Sequence, residues 1–133
     1  MPRLLTDTTT ALNQDNLLAL ARQTGGPVWA YDASIIEQRI AQLQQFDVVR
    51  FAQKACSNIH ILRLMRAAGV KVDSVSLGEI ERALAAGYQA GGDEIVFTAD
   101  LLDEPTLARV AELKVPVNAG SVDMLHQLGA VSA

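Results

Sequence analysis

An α/β fold built on a parallel sheet is predicted by three features of this sequence. Apolar, strand-like runs near residues 48–54, 70–75, 94–98 and 115–118 each lead into a helical stretch, so strand and helix alternate. The helical stretches begin near Ser57, Ser76, Asp103 and Ser121, all residues whose side chains satisfy orphan N–H groups of a first turn. Strand starts are separated by roughly 20–24 residues, the spacing of tight βα repeats. Right-handed crossovers between parallel neighbours follow from that order.

Along the chain, residues 6–14 form a weakly patterned lead-in. Asp15 is the expected cap of a short helix carrying Leu17, Leu18, Leu20 and Ala21, which Gly25-Gly26 ends. Pro27-Val28-Trp29-Ala30-Tyr31 reads as a short strand, with Trp29 and Tyr31 as packing residues. Ile36, Ile40, Leu43 and Asp47 then share one face at helical spacing, widened by Ile35 and Phe46. Its N-cap is either Asp32 or Ser34, the latter with Glu37 in a capping box. Gly69, Gly87 and Gly129 are expected just after three of the later helices, where a left-handed residue is wanted.

Composition narrows the function. With 133 residues, half hydrophobic and a fifth charged, the chain has the size and make-up of one globular domain. The net charge is −4 and the eleven Lys and Arg are scattered, so no basic stripe offers itself to nucleic acid. No apolar stretch approaches the ~20 residues of a membrane span. The start, Met1-Pro2-Arg3-Leu4-Leu5-Thr6-Asp7, turns polar at once and lacks a secretory h-region, so a cytoplasmic location is expected. Cys56 is the sole cysteine, which excludes an intrachain disulfide. Four parallel strands neither close a barrel nor cover their own edge, so the chain looks interrupted, with a bare fourth strand and an apolar inner face.

Lys54 closes the first apolar run, Val48-Val49-Arg50-Phe51-Ala52-Gln53-Lys54. Parallel α/β sheets place reacting groups at the carboxyl ends of their strands. A lysine among apolar neighbours sheds its proton more readily, and a neutral amine is what Schiff-base chemistry needs. Position alone also fits a lysine that simply reaches to water. Asp73, near the end of the second run, is a candidate for the same rim, where a carboxylate could orient an amine or bind a cationic ring. Ser76 and Glu79 form an S-x-x-E capping box before Ile80, a structural role. Thr98 and Asp100 end the third run and Asn118 the fourth; each is expected to stabilise its own turn. His60 and His126 fall inside helices without partners at metal spacing, and no metal site is expected. Cys56 reads as a small buried hydrophobe. Dinucleotide, P-loop and serine-hydrolase fingerprints are absent from the sequence.

Phe51-Ala52-Gln53-Lys54-Ala55-Cys56-Ser57-Asn58 resembles the Y-A-x-K-A-N signature of pyridoxal-phosphate enzymes with an alanine-racemase-type barrel, a group that includes alanine racemase and the ornithine, arginine and diaminopimelate decarboxylases. Asp73-Ser74-Val75-Ser76-Leu77-Gly78-Glu79 resembles the D-x-x-S-x-G-E segment of the decarboxylase branch. Residues 95–100 and 117–123 continue the likeness in order, and the run from Phe46 to Tyr88 is most similar to bacterial diaminopimelate decarboxylases. Phe51 stands where Tyr is usual, and Cys56-Ser57 separates Lys54 from Asn58.

The resemblance implies a partial (β/α)8 TIM-like barrel of about four βα units, spanning residues 27–133 behind a 1–26 extension with a short helix. It implies a PLP-dependent carboxy-lyase of lysine biosynthesis that converts meso-2,6-diaminopimelate to L-lysine. Lys54 would carry pyridoxal 5′-phosphate covalently, and Asp73 would bind the cofactor. The full-length family members are expected to be homodimers. The glycine-rich phosphate cradle, the acidic partner of the pyridine nitrogen and the substrate-binding arginines are missing from these residues. The chain by itself is therefore expected to be inactive. Alternatives are an inactive truncated fragment, an ornithine or arginine decarboxylase, and a PLP-carrier protein on the same barrel. A class I aldolase would share the lysine but not the segment from Asp73 to Glu79.

Overall fold

The computed structural model describes residues 12–98 and 103–131. They fall into two units, one up to Ala41 and one from Gln42 onward.

In the first unit, α1 spans Gln14–Thr24. Its cap is Asn13 rather than Asp15: Asn13 Oδ1 accepts from the Asn16 N–H at 2.9 Å, while Asp15 sits inside the first turn, near the positive end of the helix dipole. Gly25 ends it at φ 70°, as expected. Residues 27–31 form no strand, and Trp29 is 88% exposed. A strand exists only through a partner ladder, and this unit offers none among the described residues. Helix α2 covers Ala33–Ala41. Asp32 precedes it, accepting from the Ser34 N–H at 2.9 Å and the Ser34 hydroxyl at 2.6 Å, which holds its carboxyl below the usual range. The expected continuation through Leu43 and Asp47 is a turn instead, closed by Phe46 N–H on the Leu43 carbonyl. Leu43 and Phe46 stay exposed, and a stripe that buries nothing gives a helix little reason to extend.

The second unit holds strands β1 (Arg50–Ala52), β2 (Lys71–Ser74) and β3 (Ile95–Phe97), with helices α3 (Ile59–Ala67), α4 (Leu77–Ala86), α5 (Glu104–Leu113) and α6 (Val122–Val131). The sheet is parallel and its spatial order β1-β2-β3 follows the sequence. The expected fourth strand contributes one bridge, Phe97 to Val117. Pro116 offers its carbonyl to the Phe97 N–H at 2.8 Å but has no N–H to extend the ladder.

Strand pleat sorts the side chains into two faces. Val72, Ile95 and Phe97 point into the core with Leu62 of α3, Ile80, Ala83 and Ala86 of α4, and Val110 of α5. Arg50, Lys71, Asp73 and Val96 take the opposite face and are half-buried. That face was expected to be apolar; it is largely charged. Helices on one face and strands in sequential order make a singly wound arrangement, whereas a doubly wound sheet reverses strand order and covers both faces.

Local signals largely set the helix ends. Ser76 Oγ accepts from the Glu79 N–H, and Asp103 Oδ1 from the Thr106 N–H at 2.9 Å. Asn58, not Ser57, caps α3. Gly69 and Gly87 adopt φ 77° and 104°, as their place after a helix requires. Gly129 does not: it lies inside α6, which runs on to Val131.

Candidate active site

Strand β1 ends at Ala52, two residues earlier than expected, and Gln53–Ala55 form a single 3₁₀ turn. Lys54 is therefore carried on a turn beyond the strand. It is exposed, not enclosed by apolar neighbours, and among the described residues its amine has no partner. Backbone bonds shape the turn. The Gln53 carbonyl accepts from Cys56 N–H at 2.9 Å and from the Ser57 hydroxyl at 3.1 Å.

Asp73 pairs in register with Ala52 on one side and Val96 on the other. Two residues past Ala52 comes Lys54, so the amine and the carboxylate belong to the same end of adjacent strands. Asp73 Oδ1 is buried and, among the described residues, has no hydrogen-bond partner. An acceptor kept out of water without a donor is costly, and such atoms concentrate where a ligand or another polar group belongs.

The rim continues past Asp73. Thr98 N–H donates to the Ser74 carbonyl at 2.8 Å. Asn118 Nδ2 donates to Thr98 Oγ1 at 2.7 Å, so these two residues join successive segments rather than each serving only its own turn. Asp100 lies outside the described residues. Glu79 is structural, as expected, though it reaches one residue further back than a standard capping box, accepting from Val75 N–H at 2.7 Å. His60 and His126 lie on α3 and α6, and Cys56 is half-buried beside the turn. No group of three or more His, Cys, Asp or Glu is arranged to hold a metal among the described residues. Nor is any helix there long and apolar enough to cross a membrane. A shallow depression between α5 and α6, lined by Val110, Lys114, Val117 and Leu128 among others, takes none of the rim residues as its wall.

Sequence reasoning missed Gln53 and Ser74. Both side chains are fully buried, and Gln53 Nε2 donates to Ser74 Oγ at 2.7 Å, from the turn after β1 to the end of β2. The signal was available: Phe51-x-Gln53 and Val72-x-Ser74 each put a polar residue where the alternation calls for an apolar one.

Far from the rim, the opposite end of the sheet is pinned by charge. Lys71 pairs with Asp93, whose carboxyl is thereby held below the usual range, and Arg66 reaches Glu94 at 3.4 Å. Burial pushes the Tyr88 hydroxyl up to about 12, with Glu94 adding to the rise and Arg66 opposing it.

The sequence signature described as "Pyridoxal-dependent decarboxylase, pyridoxal binding domain" matches residues 32–133. A diaminopimelate decarboxylase of Escherichia coli (strain K12) is 70% identical over 99% of this chain and 32% of its own length. One from Streptomyces coelicolor is 63% identical over 90% of this chain and 28% of its own. A crystal structure of diaminopimelate decarboxylase superposes with a TM-score of 0.89, at 69% identity over 98% of this chain and 32% of that one. An ornithine decarboxylase from Entamoeba histolytica shares the fold at 22% identity, with a TM-score of 0.76 over 89% of this chain and 39% of that one. The chain thus spans about a third of the length of the curated relatives it matches.

Proposed function

The chain belongs to the pyridoxal-dependent decarboxylase family through its pyridoxal-binding domain, and we propose that it is the lysine-bearing part of a diaminopimelate decarboxylase. The reaction is loss of carbon dioxide from meso-2,6-diaminopimelate to give L-lysine, in the cytoplasm. The observation that carries this reading is that one end of β1 and β2 brings together the Lys54 amine and a buried Asp73 oxygen, neither with a partner among the described residues. The likeness to relatives named for this activity supports the same substrate over ornithine or arginine.

The residues present fit pyridoxal phosphate. An accessible primary amine can bond an aldehyde, and Asp73 Oδ1, without a partner among the described residues, offers an acceptor to a polar group brought alongside. Lys54 would hold the cofactor covalently and Asp73 would bind and orient it. When bound, pyridoxal phosphate supplies an electron sink for the pair left behind as carbon dioxide departs. Lys54 Nζ, which has no tie among the described residues, would move a proton at the rim. Asp73, anchored between two strands, keeps its carboxylate in fixed register with that turn.

We read the singly wound sheet as the first portion of a (β/α)8 barrel of the alanine-racemase kind, residues 27–133, behind a 1–26 extension. The complete enzyme is a homodimer in this reading, with neither nucleic acid nor membrane as partner. The 133 residues alone should release no lysine, because three strands leave Lys54 in water, where an electrostatic site has little strength. The test uses the protein that carries this chain, loaded with pyridoxal phosphate and given meso-diaminopimelate. Lysine and carbon dioxide are expected in equal amounts, and Lys54→Ala should lower kcat at least about a thousandfold. A cofactor-loaded protein that releases putrescine from ornithine but no lysine from diaminopimelate would overturn the substrate assignment.

A further inference from the structure

We propose that Gln53 and Ser74 form a positioning pair that sets where the Lys54 amine stands. This rests on the reading of Lys54 as the cofactor lysine, and it adds the device that aims it.

A lysine that must bond, release and re-bond an aldehyde cannot be fixed through its own side chain, since any partner would have to be broken each time. Its placement has to come from the backbone that carries it. Lys54 directly follows a held residue. Gln53 is tied through its side chain to Ser74 Oγ at 2.7 Å, and its carbonyl accepts from Cys56 N–H at 2.9 Å and the Ser57 hydroxyl at 3.1 Å. Ser74 is held in turn, because its carbonyl accepts from Thr98 N–H at 2.8 Å. One bond therefore connects the Lys54 turn to β2 at the residue beside Asp73, and through β2 to the end of β3.

Stability alone gives no reason for this choice. Gln53 is 0% exposed on the core side of the pleat, and its Oε1 is buried without a partner among the described residues. Apolar residues at both positions 53 and 74 would avoid that desolvation penalty. A polar side chain kept at such a site against local preference marks a functional constraint.

The experiment uses the full protein carrying this chain, freed of cofactor for attachment and reloaded for turnover, with Gln53→Met, Ser74→Ala, and both together. Attachment is followed by adding pyridoxal phosphate to apo-protein across a pH series, then trapping with borohydride. Aldehyde and amine condense with loss of water, and hydride plus a solvent proton leave a secondary amine that peptide mapping locates. Each single variant should attach cofactor to Lys54 at least about tenfold more slowly and lose kcat by a similar factor, with KM little changed. The double variant distinguishes aiming from mere stability. Replacing both partners by apolar groups should restore the melting temperature but not the attachment rate. Ser74→Thr, which keeps the hydroxyl, should keep the rate.

Attachment and kcat that recover together with melting temperature would overturn the proposal, as would single variants that attach cofactor at the parent rate. Parent protein that carries label on Lys71 or Lys114 instead of Lys54 would sink the underlying reading itself.

Discussion

Tyr88 shows how a single buried group writes itself into pH dependence. Its ring is packed in the core, its hydroxyl donates to the Val70 carbonyl at 2.9 Å, and Arg66 lies 5.9 Å from the ring centre. Burial raises the hydroxyl from 10.0 to about 12. A raised folded value means that the folded state keeps its proton while the unfolded chain has lost it. The contribution is thus complete below pH 10 and drains away between pH 10 and about 12. Urea midpoints measured across that window should fall steeply for the parent and less steeply for Tyr88→Phe. At neutral pH the same variant should cost about 1 kcal/mol, because the Val70 carbonyl loses its donor. The places of Lys54 and Asp73 near strand ends were legible at this scale because each closes an apolar run. The exposure of Lys54 was not, since it depends on where β1 stops.

Two glycines separate what a helix end requires from what a helix interior tolerates. Gly87 closes α4 at φ 104°, and a Cβ there would meet nothing nearer than Arg66 Nη1 at 3.7 Å. Space is therefore not the issue; backbone conformation is. Gly87→Ala should destabilise by roughly 1–2 kcal/mol, the cost of a left-handed conformation in a residue with a side chain. Gly129 lies within α6, and a Cβ placed there would have nothing within 4 Å, so Gly129→Ala should stabilise by about 0.5–1 kcal/mol. Thermal melts of the two variants should move in opposite directions. Equal shifts would mean that α6 ends before Gly129, where the sequence pattern alone places its end. The caps at Ser76 and Asp103 are legible in the sequence because each acts on an N–H only three residues away. Asp15 and Ser57 give way as caps because a better-placed asparagine stands near each, at Asn13 and Asn58.

At the scale of the whole second unit, Phe97 joins several elements. It is fully buried, pairs with Ser74 in β2, bridges Val117 and packs in the cluster that α3, α4 and α5 share. Phe97→Ala should cost roughly 3–5 kcal/mol, enough to remove much of a domain's stability of ~5–15 kcal/mol. Denaturant titration followed by far-ultraviolet circular dichroism would read that loss as a lowered midpoint. The sequence by itself determined the alternation of strand and helix, the helix starts at Ser76 and Asp103, and a lysine and an aspartate each near the end of its own apolar run. Those properties depend on residues within a few positions of one another. Tertiary structure alone decided that residues 27–31 make no strand, that the fourth strand is a single bridge, and that Gln53 bonds Ser74. Each of those outcomes needs a partner from another part of the chain, and hydrogen-bond ladders and buried polar pairs are properties of two segments at once.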